Sequence, residues 1–98
     1  MQIPGLKDDE LNIVKQCLPA KVPIKLFGSR VLGTFRPHSD LDICIMSDWP
    51  KTEIAKLSTK FAASVLPFSV DIFIYKDCST DYKKLIDDTG VSLSDQNQ

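Results

Sequence analysis

Apolar residues recur at helical spacing in three stretches of the chain. The first stretch runs from about Asp8 to Leu18, opens on three consecutive acidic residues and is followed by Pro19. Acidic side chains stabilise the N-terminal end of a helix, and proline commonly follows the C-terminal end. The pattern therefore predicts a first helix here.

Two further helices are predicted in the second half of the chain. One follows the turn "SDWPK" and ends at Pro67, with four apolar residues at helical spacing: Ile54, Leu57, Phe61 and Val65. The other spans about Thr80 to Thr89, with Gly90 as its cap. The tail "SLSDQNQ" is polar, and we expect it to fray.

Three apolar runs between these helices predict strands. They are about Ile24 to Phe27, then "DLDICIM", then "FSVDIFIY", which is rich in β-branched and aromatic residues. Between the first two, "SRVLG" predicts a short helix that stops at Gly33, and "TFRPHS" predicts a loop. This order of elements is typical of an α/β fold, a small sheet with helices packed on it. The pattern leaves open whether the strands are parallel, antiparallel or mixed.

The size and charge of the chain narrow the functional classes. Its 98 residues predict a single domain over residues 1–93, followed by a polar tail at 94–98. A net charge of −1 gives no reason to expect nucleic acid or an anionic membrane as a partner. No stretch approaches the ~20 apolar residues of a membrane span.

The cysteines indicate a reducing compartment. Cys17, Cys44 and Cys78 are far apart, odd in number and without C-x-x-C spacing, so packed thiols are expected rather than a disulfide or a zinc site. The start "MQIPGLKDDEL" lacks the pattern of a signal peptide. We therefore expect a cytoplasmic protein.

Three carboxylates are predicted to meet on one face of the sheet. Side chains alternate along a strand, so Asp40 and Asp42 point the same way, and Asp71 joins them if the second and third strands pair. Such a cluster raises its own pKa values unless a cation is present. Carboxylate oxygens without His or Cys suit Mg²⁺ or Mn²⁺ better than zinc.

A glycine and a serine precede these carboxylates at a strand-to-helix junction. Gly28 allows the backbone to approach a ligand closely, and Ser29 lies where free N–H groups attract phosphate. Taken singly, these residues have simpler interpretations: a strand-to-helix turn at Gly28-Ser29, a turn cap at Asp40, a solvated edge residue at Asp42, and a salt bridge to Lys or Arg at Asp71. Together, a phosphate cradle beside a carboxylate-held metal pair is typical of phosphoryl or nucleotidyl transfer. His38 lies in the loop beside this site, but we expect no catalytic role for it.

The full motif resembles a known superfamily. Gly28-Ser29, ten residues and Asp40-Leu41-Asp42 form the pattern GS-x10-DxD, and Asp71 follows on a strand. This pattern resembles the DNA polymerase β-type nucleotidyltransferases. More narrowly, the chain is similar from about Ile24 to Leu93 to the minimal nucleotidyltransferases, the small partners of HEPN-domain proteins. The resemblance implies the small mixed sheet of the polymerase β-like fold.

The resemblance also implies a role for each matching residue. Gly28 and Ser29 would hold the phosphates of the nucleotide, and Arg30 would steady the triphosphate. Asp40 and Asp42 would bind two metal ions, Mg²⁺ or Mn²⁺. Asp71 would ligate the catalytic ion and help to take the proton from the attacking hydroxyl.

The implied reaction transfers AMP from ATP to a hydroxyl, namely a tyrosine of a HEPN partner. The chain would then be the antitoxin of a toxin–antitoxin pair. Two alternatives stay open: an antitoxin that neutralises its partner by contact alone, and an enzyme that modifies a small molecule such as an aminoglycoside with a separate helical subunit. The oligomeric state, including a homo-oligomer, also stays open.

Overall fold

The computed structural model describes residues 2–93. The helices are α1 (Asp8–Cys17), α2 (Ser29–Leu32), α3 (Lys51–Ala62) and α4 (Thr80–Thr89), and the strands are β1 (Ile24–Phe27), β2 (Leu41–Ile45), β3 (Val70–Ile74) and β4 (Val91–Ser92). The bounds predicted for β1 and α4 are confirmed, and α1 ends one residue before the predicted position.

The strands form one mixed sheet in the order β3-β2-β1-β4. Strand β1 is antiparallel to both β2 and β4, whereas β2 and β3 are parallel and are connected through α3. The predicted α/β fold is therefore confirmed, and the mixed sheet implied by the resemblance is confirmed with it. Parallel neighbours require a crossover of this kind, because a short turn cannot return the chain to the same end of the sheet.

The two faces of the sheet bury different residues. One face carries the alternate apolar residues of β1 and β2 and packs with α1 and α3 in the main core: Ile24, Leu26, Leu41, Ile43, Ile45, Val14, Leu57 and Phe61. The opposite face forms a smaller core of Phe27, Cys44 and Ile86, with Ile86 on α4. Asp42 and Asp71 belong to this second face by strand alternation.

Helix α3 is shorter than the prediction. It ends at Ala62, so Val65 lies beyond it and is 83% exposed. The hydroxyl of Ser64 donates to the carbonyl of Phe61 at 2.6 Å and accepts from the N–H of Leu66 at 3.3 Å. A serine that bonds the backbone in this way competes with the helical ladder, which accounts for the early end.

The C-terminal part of the described chain is more ordered than the prediction. Val91 and Ser92 form β4 on the free edge of β1, and the N–H of Leu93 donates to the carbonyl of Ile24 at 2.9 Å. Leu93 is 2% exposed. The expectation that "SLSDQNQ" frays is thus wrong for its first two residues, because they complete the sheet and the core. The polar tail predicted at 94–98 lies outside the described residues. Within residues 2–93, none of the helices has the length and apolar content of a membrane span.

Candidate active site

The structure brings the three predicted carboxylates together at one end of the sheet. Asp42 on β2 is directly paired with Asp71 on the parallel strand β3. The sequence predicted that Asp40 lies within the second strand, but in the structure Asp40 immediately precedes β2. Asp40 and Asp71 are exposed, whereas Asp42 is half-buried.

The three carboxylates interact electrostatically. Burial, followed by the charges of Asp71 and Asp40, raises the pKa of Asp42 to about 6. Burial also raises the pKa of Asp71, and the charge of Asp40 and a hydrogen bond between the two carboxyl groups raise it further. Carboxylates that raise one another's pKa in this way favour a nearby cation.

The cluster is not a preformed metal cage. Among residues 2–93, no three His, Cys, Asp or Glu side chains already surround a common metal position. The oxygen donors are of the right chemistry for a hard divalent ion, and they lie on adjacent strands. Their side chains would therefore have to rotate towards a common ion.

Gly28 and Ser29 lie directly against this cluster. Gly28 directly follows β1 and has a φ of 87°, a left-handed value that favours glycine. A Cβ atom at this position would collide with the carboxylate of Asp42. Ser29 begins α2, whose first N–H groups have no partner within the helix. The Gly-Ser turn and the carboxylates thus form one continuous surface.

Arg30, which follows the Gly28-Ser29 turn, has a buried side chain. Its side chain is 5% exposed, and its guanidinium donates to three backbone carbonyls, those of Gly5, Pro37 and Ser39. Three of its five N–H donors are thus committed to the protein. These contacts hold the guanidinium against the backbone, and the role of Arg30 towards a triphosphate stays a prediction.

An aromatic cluster beside the carboxylates was not anticipated. The rings of Phe27, Phe73 and Tyr82 pack edge-to-face, with centroids 5.3, 5.5 and 6.0 Å apart. Phe27 precedes Gly28, and Phe73 shares a sheet face with Asp71. Tyr82 reaches them from α4 and is 44% exposed. Strand alternation had placed Phe73, but no sequence signal brings α4 to this end of the sheet.

Comparison with known proteins agrees with this geometry. The family model described as "Nucleotidyltransferase domain" matches residues 10–93. The chain is 35% identical over 98 residues to a probable protein adenylyltransferase MntA of Haemophilus influenzae, a match that covers 95% of this chain and 86% of the relative.

Solved structures of toxin–antitoxin proteins share the fold. A toxin–antitoxin crystallised with AMP-PNP superposes with a TM-score of 0.64 and 27% identity, covering 85% of this chain and 68% of the other. The toxin–antitoxin MntA-HepT gives a TM-score of 0.56 and 22% identity, covering 92% and 72% of the two chains. The resemblance inferred from the motif is confirmed by these matches. The chain belongs to the nucleotidyltransferase domain family, as a minimal nucleotidyltransferase similar to MntA.

Proposed function

We propose that this nucleotidyltransferase moves AMP from ATP to a tyrosine hydroxyl of a HEPN-type partner, with loss of the hydroxyl proton and release of pyrophosphate, and thereby acts as an antitoxin. The observation that carries the proposal is the convergence of Asp40, Asp42 and Asp71 beside the Gly28-Ser29 turn. This surface joins a phosphate-binding turn to a carboxylate cluster, which is what transfer of a nucleotidyl group requires.

The carboxylates are proposed to hold two divalent cations, Mg²⁺ or Mn²⁺. Their mutual repulsion, expressed in the raised pKa of Asp42 and of Asp71, is relieved when positive charge lies between them. Bound ions would supply charge stabilisation to the attacking and leaving oxygens. Asp71 is the exposed member of the directly paired residues, which supports it as the group that accepts the proton of an incoming hydroxyl.

ATP is the proposed nucleotide. Gly28 and Ser29 would contact its phosphates through backbone N–H groups and the serine hydroxyl. The structure with TM-score 0.64 contains AMP-PNP, an ATP analogue, and shares 27% identity with this chain. The partly exposed rings of Phe73 and Tyr82, packed on the buried Phe27, offer an apolar wall at the edge of the same surface.

The acceptor and the partner are proposed from the relatives. The MntA relative at 35% identity is named a probable protein adenylyltransferase, which supports a protein hydroxyl as the acceptor. The toxin–antitoxin matches support a partner protein. The three cysteines are free thiols, two of them buried, which supports a reducing cytoplasm as the setting.

The test is transfer of labelled AMP with and without the carboxylates. The purified chain is incubated with ATP labelled on the α-phosphate, Mg²⁺, and the protein encoded beside it. We expect label on that protein with the wild type and at least a hundredfold less with the double variant Asp40→Asn/Asp42→Asn, since electrostatic stabilisation of this kind is worth about 10²–10³ in rate.

The matched control removes the same charge elsewhere. Asp48 and Asp88 are exposed and form ion pairs at 3.2 Å with Lys76 and Lys84, so Asp48→Asn/Asp88→Asn should transfer as the wild type does. Label that appears only on an added aminoglycoside would overturn the protein acceptor. Neutralisation of the partner that survives in Asp40→Asn/Asp42→Asn would instead favour an antitoxin that works by contact.

A further inference from the structure

A buried guanidinium lies behind the carboxylate cluster. Arg30 is the one charged side chain within residues 2–93 that is buried, at 5% exposure. Burying a charge is costly unless hydrogen bonds replace the lost water. In Arg30 this condition is met, because each of the three guanidinium nitrogen atoms donates a hydrogen bond to a backbone carbonyl.

These partners come from two separate segments of the chain. The Nε group donates to the carbonyl of Ser39 at 2.8 Å, and Nη2 donates to the carbonyl of Pro37 at 3.1 Å. The Nη1 group donates to the carbonyl of Gly5 at 2.7 Å. The guanidinium also lies 3.9 Å from the ring centroid of Phe68 and 5.2 Å from that of Phe35. Cation–π contact of this kind is strongest where water is excluded.

Each part of the active site is close in sequence to one of these contacts. Arg30 itself directly follows the Gly28-Ser29 turn, and Ser39 directly precedes Asp40. Phe68 leads into β3, and the next carbonyl, that of Ser69, accepts from the N–H of Leu41 at 2.9 Å. The guanidinium therefore joins the turn, the loop before Asp40 and the approach to Asp71.

The loop that Arg30 holds is itself closed. The N–H of Ser39 donates to the carbonyl of Arg36 at 3.0 Å, and the N–H of Arg36 donates to the hydroxyl of Ser39 at 2.8 Å. A closed turn anchored through its Pro37 and Ser39 carbonyls moves as one body. The position of this turn therefore sets the position of the backbone of Asp40, which directly follows Ser39.

Gly5 completes the arrangement from the N-terminal segment. Its N–H donates to the carbonyl of Arg30 at 2.7 Å, and its carbonyl accepts from Arg30 Nη1, so the two residues form a reciprocal pair. A Cβ atom on Gly5 would lie 2.5 Å from the Cβ of Arg30. Glycine is therefore needed for this close approach.

The geometry points to Arg30 as a positioning residue that fixes Asp40 relative to the Gly28-Ser29 turn. The inference rests on the proposed nucleotidyl transfer, but it assigns Arg30 no contact with substrate. A planar fork that donates in three divergent directions explains why arginine occupies the position, because a lysine ammonium cannot reach all three carbonyls from one point.

The test compares Arg30→Lys with Arg36→Lys, a control on the exposed side of the same loop that also keeps its charge. A misplacement of about 1 Å costs on the order of a hundredfold in rate, so we expect kcat of Arg30→Lys to fall about ten- to hundredfold. The KM for ATP should stay within about threefold of the wild type, because uniform nucleotide binding is not what is lost. Arg36→Lys should match the wild type in both constants.

A second readout needs neither turnover nor acceptor. Binding of Mn²⁺ to the chain saturated with a non-hydrolysable ATP analogue is followed by electron paramagnetic resonance. We expect the dissociation constant for Mn²⁺ to rise about tenfold in Arg30→Lys, in keeping with the cost of disturbing groups that orient metal ligands. Gly5→Ala, which disturbs the arrangement from the opposite side, should weaken Mn²⁺ binding in the same direction.

The outcomes separate positioning from the alternatives. A lower melting temperature with unchanged kcat and Mn²⁺ affinity in Arg30→Lys and Gly5→Ala would overturn the inference in favour of a purely structural role. A rise in KM for ATP alone would overturn it in favour of a phosphate ligand. Wild-type protein that binds Mn²⁺ but labels no partner would overturn the proposed acceptor and leave the positioning inference to the Mn²⁺ titration.

Discussion

At the scale of single residues, the sequence predicted the positions of those site residues that lie on predicted strands. Strand alternation placed Asp42 and Asp71 on one face, and the paired register confirms it. Arg30 could not be placed in this way. Its hydrogen-bond partners are backbone carbonyls, one of them on Gly5, which is distant in sequence. Every residue has a backbone carbonyl, so the sequence cannot indicate which ones accept. Adjacency to the Gly-Ser motif therefore suggested a phosphate ligand, whereas the tertiary contacts give it a buried position.

The raised pKa of Asp42 predicts a pH-dependent stability. Its ordinary pKa is 3.8, and burial, with the charges of Asp71 and Asp40, raises the pKa to about 6 in the folded chain. Between these values the folded state binds more protons than the unfolded state, so the free energy of unfolding decreases as pH rises through the window. Without divalent cations, Asp42→Asn should therefore melt at a higher temperature than the wild type at about pH 7.5, and the difference should shrink below about pH 4.

Calorimetry across this pH range checks the prediction, with Asp88→Asn as an exposed control. Added Mg²⁺ should then stabilise the wild type more than Asp42→Asn, because the ion binds the folded state that carries the carboxylate. A difference between Asp42→Asn and the wild type that does not change with pH would contradict the assigned cause.

Gly28 predicts a second effect, and Gly33 is its matched control. Both glycines have positive φ values, 87° and 90°, so an alanine at either position is strained by about 1–3 kcal/mol. The strain is larger at Gly28, whose ψ of −163° belongs to a region that only glycine normally adopts, than at Gly33, whose ψ is 6°. Only at Gly28 would the Cβ also collide with Asp42; at Gly33 the nearest atoms belong to Pro4 at 3.7 and 3.8 Å. Urea unfolding should show a larger loss for Gly28→Ala, and only Gly28→Ala should abolish transfer. Equal losses would show that the collision is relieved.

At the scale of elements, the long and strongly patterned segments were predictable and the chain ends were not. Helix α4 matches its predicted bounds because Ser79 accepts from the N–H of Tyr82 at 3.2 Å and marks the start. Strand β4 was missed because two residues are too short to show alternation. It exists because the edge of β1 needs a partner for its backbone groups.

Leu93 and Val65 were predicted with the wrong exposure to solvent, and they give a paired prediction for the free energy of unfolding. Leu93 is 2% exposed in the core, so Leu93→Ala should lower the free energy of unfolding by about 2–5 kcal/mol. Val65 is 83% exposed beyond the end of α3, so Val65→Ala should change it by less than about 0.5 kcal/mol. Denaturant unfolding of the full chain measures both. A large loss for Val65→Ala would mean that the apolar stripe of α3 extends further than the structure shows.

At the scale of the whole molecule, function follows from the unequal covering of the sheet. Helices α1 and α3 pack with the main core on one face, whereas α4 packs with Phe27 and Cys44 on the other. The end of that second face carries the paired Asp42 and Asp71, and Asp71 is exposed there. An open carboxylate surface leaves this end of the sheet accessible to the proposed acceptor. The composition suggested one domain, but only the packing identifies the open end.

If the paired carboxylates drive transfer of an adenylyl group to the partner, the mass of the partner changes, and intact-mass spectrometry of the partner measures this change. The partner is incubated with ATP, Mg²⁺ and either the wild type, Asp71→Asn or the control Asp88→Asn, and its mass is then measured. We expect the partner to gain the mass of one adenylyl group, AMP less one water, with the wild type and with Asp88→Asn, and not with Asp71→Asn; peptide mapping then locates the group on a tyrosine. Partner of unchanged mass with the wild type, or equal modification by Asp71→Asn, would contradict this expectation.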